Sequence, residues 1–221
     1  MKLIYNFPKL FSLKTLQIVN FFLIIILFIG CNRFSNDFNI NEIEINKNTR
    51  GVTYLYREKP ITGLIYERND SDILLKEYEV DNGMLSGSYR EYYISGNLKL
   101  EKFYLNGKLE GISKSFYEDG STKEMLNYSN GLLTGERSYY WSNGLLKESN
   151  QFERGIMTGQ SIYFFSNGQI QKKFELDQYG RRHGSWEDYY SNGQLKETSK
   201  YKNGKIILEK VRYDKEGKII Q

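Results

Sequence analysis

The chain has 221 residues, 39% of them apolar and 26% charged, a balance that suits a soluble fold and excludes a multi-span membrane protein. Its formal charge of +4 does not make it a phosphate binder. Lys2, Lys9 and Lys14, in a leader without acidic residues, supply three of those charges, and the remainder is nearly neutral with no basic stripe, so no nucleic-acid partner is expected.

Taken in chain order, the first segment is a leader. Basic residues reach Lys14, an uncharged apolar run covers Phe21 to Ile29, and the run stops at Gly30-Cys31. This is the layout of a secretory signal, and the apolar core is shorter than the roughly 20 residues that span a bilayer. Cys31, the single cysteine of the chain, stands where the run ends, which rules out an internal disulfide. Phe28-Ile29-Gly30-Cys31 resembles the lipobox of bacterial lipoproteins, with phenylalanine where that family usually has leucine. The resemblance implies cleavage after residue 30, lipidation of Cys31, and a membrane-anchored protein on the periplasmic or surface side of the bacterial envelope. Residues 31–48, rich in asparagine, are expected to be a flexible tether. Residues 49–62, with Tyr54-Leu55-Tyr56, read as a degenerate half-repeat that caps an array beginning at residue 63.

From residue 63 to 221 one unit of about two dozen residues is written six times and begun a seventh. Gly63, Gly87, Gly111, Gly135, Gly159 and Gly184 open the units, at spacings of 24 with one of 25. Two further glycine columns mark turns. The first reads Ser95-Gly96, Asp119-Gly120, Asn143-Gly144, Asn167-Gly168 and Asn192-Gly193. The second reads Asn82-Gly83, Asn106-Gly107, Asn130-Gly131, Arg154-Gly155, Tyr179-Gly180 and Asn203-Gly204. Asn-Gly fits a type I′ turn, in which both central residues take positive φ and the twist matches antiparallel strands. Turn glycines alternate at 11 and 13 residues, with one spacing of 12, which predicts strands of about seven to ten residues in an up-and-down meander. Nineteen tyrosines and only two prolines agree with paired strands. The expectation is an all-β fold: an elongated, twisted antiparallel sheet of about six 24-residue hairpin units, cohesive mainly between neighbours. Helices are not needed after residue 40.

An aromatic pair precedes each first turn: Tyr92-Tyr93, Phe116-Tyr117, Tyr140-Trp141, Phe164-Phe165, Tyr189-Tyr190. Because neighbours in a strand point to opposite faces, each pair should place one ring on each side, with equivalent rings stacked as ladders along the array. Tyr93, Tyr117, Trp141, Phe165 and Tyr190 are the candidate surface contacts. The unit-opening glycines lie inside strands, and the expectation is that an aromatic ring of the next strand lies across each.

The pattern G-x4-[YF]-[YF]-x-x-G-x-L-K followed by Y-x-N-G-x-L-x-G resembles the MORN repeat variant, and also the bacterial YwqK-type antitoxin family built from such repeats. That resemblance implies antiparallel hairpins and a role in scaffolding, protein contact or membrane association. The antitoxin label implies neutralising a partner protein. No catalytic constellation emerges, and no metal or other cofactor is expected: His183 is the single histidine and falls in the Gly180–Gly184 turn, and Arg181-Arg182 and Lys172-Lys173 are the densest basic spot. The expected function is a non-catalytic, lipid-anchored scaffold for a protein partner, with an antitoxin or a carbohydrate-binding surface lipoprotein as the alternatives.

Overall fold

The computed structural model describes residues 36–49 and 51–220. The expected leader and Cys31 lie outside the described residues. Strands follow one another as β1 (Asp37–Asn39), β2 (Glu44–Asn48), β3 (Gly51–Tyr56), β4 (Lys59–Pro60), β5 (Gly63–Arg68), β6 (Leu74–Asp81), β7 (Met84–Tyr92), β8 (Leu98–Leu105), β9 (Lys108–Leu109) and β10 (Gly111–Phe116). They continue as β11 (Thr122–Ser129), β12 (Leu132–Leu133), β13 (Gly135–Tyr140), β14 (Leu146–Glu153), β15 (Ile156–Phe164), β16 (Ile170–Leu176), β17 (Arg182–Tyr189), β18 (Leu195–Lys202) and β19 (Lys205–Arg212). Among the described residues one 3₁₀ turn, Ile40–Glu42, interrupts them. Among the described residues no helix is long and apolar enough to cross a membrane.

From β5 onward the strands pair in sequence order in one 16-stranded sheet, the hairpin meander that the period predicts. All its pairings are antiparallel except β1 with β5, which is parallel. β2, β3 and β4 form a separate three-stranded sheet. The expected tether is therefore built structure from residue 37: β1 joins the main sheet, and β2 pairs with β3 from Glu44↔Leu55 to Asn48↔Gly51. The reason is burial. Phe38, Ile40 and Ile43 pack with Tyr54 and Tyr56 on Ile61, Ile65, Tyr78 and Val80, the one cluster of buried apolar residues among those described. Elsewhere a single-layer sheet has no second layer to hide behind, and cohesion comes from neighbouring strands.

The two turn columns are built differently. Asn82, Asn106, Asn130, Arg154 and Asn203 have φ of 49–52°, followed by glycines at 78–83°, as type I′ turns require. The first column does not follow the expectation. Asn143, Asn167 and Asn192 stay at negative φ inside three-residue loops, closed by bonds such as Trp141 N to Leu145 O (2.8 Å) and Gly144 N to Trp141 O (2.9 Å). Here only the glycine is left-handed. The asparagine side chain caps the loop instead: Asn143 Oδ1 accepts from Leu145 N at 3.1 Å, and Asn167 and Asn192 repeat the bond to Gln169 and Gln194. Tyr179-Gly180 also belongs to this kind, held by Asp177, and that loop contains the extra residue of the 25-residue unit.

Both edges of the meander are tied from unit to unit. On one edge the turn glycine N–H donates to the preceding unit: Gly83 to Ile61 O, Gly107 to Leu85 O, Gly131 to Leu109 O and Gly155 to Leu133 O, all at 2.7–2.8 Å. On the other, the amides of Asn97, Asn143 and Asn167 donate to Glu118, Ser166 and Ser191 carbonyls at 2.8–3.0 Å.

Among the unit-opening glycines only Gly63 meets an aromatic ring, that of Phe38 on the neighbouring β1, and none is covered by a ring of the following strand. What lies over Gly87 is Glu79, over Gly184 Glu175 and over Gly159 Gln151, polar side chains of the preceding strand.

Candidate interaction face

The five candidate contacts are half-buried, and most are engaged within the array. The hydroxyls of Tyr93, Tyr117 and Tyr190 donate to the carbonyls of Phe116, Tyr140 and Tyr213, one unit further on, at 2.7–2.9 Å. A lysine six residues on lies over four of the rings: Lys99 over Tyr93 (5.8 Å), Lys123 over Tyr117 (5.6 Å), Lys147 over Trp141 (4.3 Å) and Lys196 over Tyr190 (5.7 Å). The column is thus first a set of inter-unit tethers. Tyr117→Phe, which removes one tether and leaves the ring, is expected to lower stability by roughly 0.5–1.5 kcal/mol, measured by urea unfolding.

These rings do not stack on one another. Equivalent positions are two strands apart, about 9.5 Å, beyond the roughly 4.5–7 Å at which rings pair. The ladders instead use mid-strand rings on adjacent strands of the main sheet, the first of them extended by Tyr54 from the three-stranded sheet. Tyr54, Tyr78, Tyr89 and Tyr104 form one, with centroids 5.4–6.0 Å apart. Tyr163, Phe174, Trp186 and Tyr201 form the other, at 4.4–5.9 Å. Register brings Tyr78 opposite Tyr89 and Phe174 opposite Trp186, and alternation keeps Tyr104, Tyr163 and Tyr201 on the same face.

That face also carries charge. Arg137 sits between Glu124 (2.8 Å) and Glu148 (3.2 Å), and Lys172 pairs with Asp188 at 3.3 Å. Asn150 and Ser161, opposed on β14 and β15, are fully buried. The arginines of the basic spot are exposed but engaged: Arg181 binds Asp177 at 2.7 Å, and Arg182 lies over Trp186 (4.6 Å) and Tyr201 (5.2 Å). His183 is half-buried on β17 opposite Glu175, not in the turn, because the inserted residue moves the loop to 177–181.

Several phenols are held protonated. Burial, and then the hydrogen bond to Glu77, pushes Tyr92 up to about 12; burial and Glu187 do the same for Tyr189. Tyr54, Tyr78 and Tyr89 are raised as well, burial again leading. An unfolded tyrosine ionises near pH 10. Between about 10 and 12 the unfolded chain therefore binds fewer protons than the folded one, and stability falls as pH rises. The expected result is a urea midpoint that declines steadily across that window, with phenolate absorbance in the folded protein lagging behind that of the unfolded chain.

Two shallow depressions open on the ladder face near the C-terminal units. One, about 460 Å³, is lined by Tyr163, Gln171, Lys172, Phe174, Trp186 and Asp188. The other, about 400 Å³, runs from Phe165 and Tyr190 to Lys196 and Glu197, and Gln171 and Asp188 border both. Of the five candidate contacts, only Phe165 and Tyr190 reach this place, joined by Tyr189 of the aromatic pair and by Lys172 of the basic spot. Gln171 was missed, though a signal existed: it interrupts the column Lys99, Lys123, Lys147, Lys196.

Architecture and surface together define a hairpin-repeat protein with an aromatic, charge-paired face. The model of the MORN repeat variant matches residues 109–130 and 182–203, so the chain contains that repeat at two places. No curated protein matches the chain. Two solved structures of TarM, one of them given as the S. aureus protein, are similar over 45% of this chain and 20% of theirs. One is a point mutant with fondaparinux, alpha-GlcNAc-glycerol and UDP (15% identity, TM-score 0.30), the other is TarM (16%, 0.29). The chain thus spans about a fifth of the length of those structures.

Proposed function

We propose that the chain is a non-catalytic repeat scaffold, held at a membrane of the bacterial cell envelope through lipidated Cys31, that binds a protein partner. The observation carrying this reading is an exposed apolar patch in mid-array. Phe103 (45% exposed) and Leu105 (52%) on β8 share a face with Ile112 (54%) on the adjacent β10. Among the described residues nothing in their own units covers them, and apolar side chains grouped this way are a common mark of protein contact. Repetition supports the same reading, since each unit offers its chemistry again about 9.5 Å along the sheet, a spacing that an extended partner can follow. The lipobox-like Phe28-Ile29-Gly30-Cys31 supports the anchor.

The test places a photoreactive phenylalanine at position 112 in intact cells and fractionates them. The expected outcome is one discrete cross-linked protein species in the membrane fraction, with Cys31→Ser moving the chain out of that fraction. A chain that stays membrane-bound without Cys31 refutes the anchor, and absence of any cross-linked species refutes the partner.

A further inference from the structure

The unit opened by Gly63 has Asn69 in place of the column's ring; among the units that carry the ring, one lacks both tether and cover, and it coincides with the depressions. In the unit opened by Gly159 the ring of the column is Phe165, which has no hydroxyl to reach the next unit, and the residue six positions on is Gln171, which has no ammonium to lay over the ring. The neighbouring units keep both devices or one of them: Tyr117 and Tyr190 are tethered and covered, and Trp141 is covered by Lys147 at 4.3 Å. Removing tether and cover together leaves an aromatic ring bordering the 400 Å³ depression, with a carboxamide between it and the 460 Å³ one.

From this juxtaposition we infer a binding site for a neutral saccharide, one sugar residue on Phe165 and its neighbour in the adjoining depression, with Gln171 and Asp188 between them. The chemistry is that of a polyhydroxylated ring with an apolar face. Phe165 offers the apolar surface. Gln171 offers both a donor and an acceptor, and Asp188 offers acceptors. The combined space falls in the range of small-ligand clefts. Ion pairing leaves an ionic ligand little to hold: Lys172 is paired with Asp188 at 3.3 Å, and Glu197 with Lys210 at 2.7 Å and Arg212 at 3.0 Å, while the Lys196 ammonium is drawn over the Tyr190 ring. Trp186 is not the platform. Phe174 stacks on it at 4.4 Å and Arg182 lies over it at 4.6 Å, so it serves as a wall and a built-in fluorescent reporter. This site does not rest on the protein-partner reading, whose patch on Phe103 and Ile112 is elsewhere in the array.

The deciding variant is Gln171→Lys, which writes the array's own pattern into the broken unit and so keeps the fold. Titrations use cello-, malto- and N-acetylchito-oligosaccharides, read by tryptophan fluorescence and calorimetry. The expected result is that one series binds the native chain, that Gln171→Lys weakens it by about tenfold or more, and that Lys147→Gln leaves it unchanged. Unaltered thermal unfolding of Gln171→Lys confirms that the loss is local. The inference is overturned if no series binds, if Gln171→Lys binds as well as the native chain, or if the groove takes a peptide or an anionic oligosaccharide and no neutral one.

Discussion

Ile65→Ala is expected to cost roughly 2–5 kcal/mol, the range for deleting a fully buried aliphatic side chain whose surroundings collapse only in part. Ile65 has no exposed surface, lies opposite Tyr78 on β6 and opposite Phe38 on β1, and belongs to the buried cluster with Ile61 and Val80. The same truncation at Ile112, 54% exposed, is expected to stay within about 0.5 kcal/mol. Location matters as much as size. In a repeat array each unit touches its neighbours alone, so damage at one end need not propagate. Hydrogen exchange should therefore show Ile65→Ala losing protection in β1, β3 and β5 to β7, while β15 to β18 keep theirs. Uniform loss along the array would show instead that the sheet unfolds as one unit, with the N-terminal cluster as its keystone.

How much of this was legible depends on what a period can encode. Column spacing fixes how many strands there are and where they turn, and Asn82, Asn106, Asn130 and Asn203 do adopt the type I′ turn that their dipeptide favours. Asn143, Asn167 and Asn192 carry the same dipeptide into a different loop, because loop length, not the dipeptide, selects the turn, and there the side chain caps the loop. Register lies beyond the period altogether. Rings 24 residues apart look like a ladder in the sequence, yet stacking depends on the strand between them, which is why Tyr78, Tyr89, Phe174 and Trp186 stack and Tyr93 and Tyr117 do not. The segment before residue 49 was obscured by its asparagines: Phe38, Ile40 and Ile43 face the cluster, but apolar side chains scattered through a polar stretch without a strict period are a weak strand signal. At the candidate groove the signal was in plain view, since Gln171 stands in a lysine column, but it becomes meaningful only once the structure sets that column over the rings.

Gly87→Ala is expected to destabilise by roughly 2–4 kcal/mol, against about 1–2 kcal/mol for the equivalent Gly111→Ala. Both glycines open a unit and both have positive φ, but the conformations differ. Gly111, at +71°, is near the left-handed basin that other residues visit at modest cost, and a Cβ there meets open space. Gly87, at +121°, lies outside that basin, and a Cβ there overlaps the Glu79 carboxylate and falls 2.8 Å from Glu79 Cβ. Swinging the carboxylate away does not suffice, because Cβ moves only with its backbone, and Ser88 Oγ holds the carboxylate in place at 3.0 Å. The two contributions can be separated. Glu79→Ala in the Gly87→Ala background should recover part of the loss, the share due to the side chain, and leave the share due to φ, so the double-mutant cycle shows a coupling that Gly111→Ala does not share. If Gly87→Ala and Gly111→Ala cost the same by urea unfolding, the strand glycines are retained for their left-handed φ alone, and the polar side chains lying over them are bystanders.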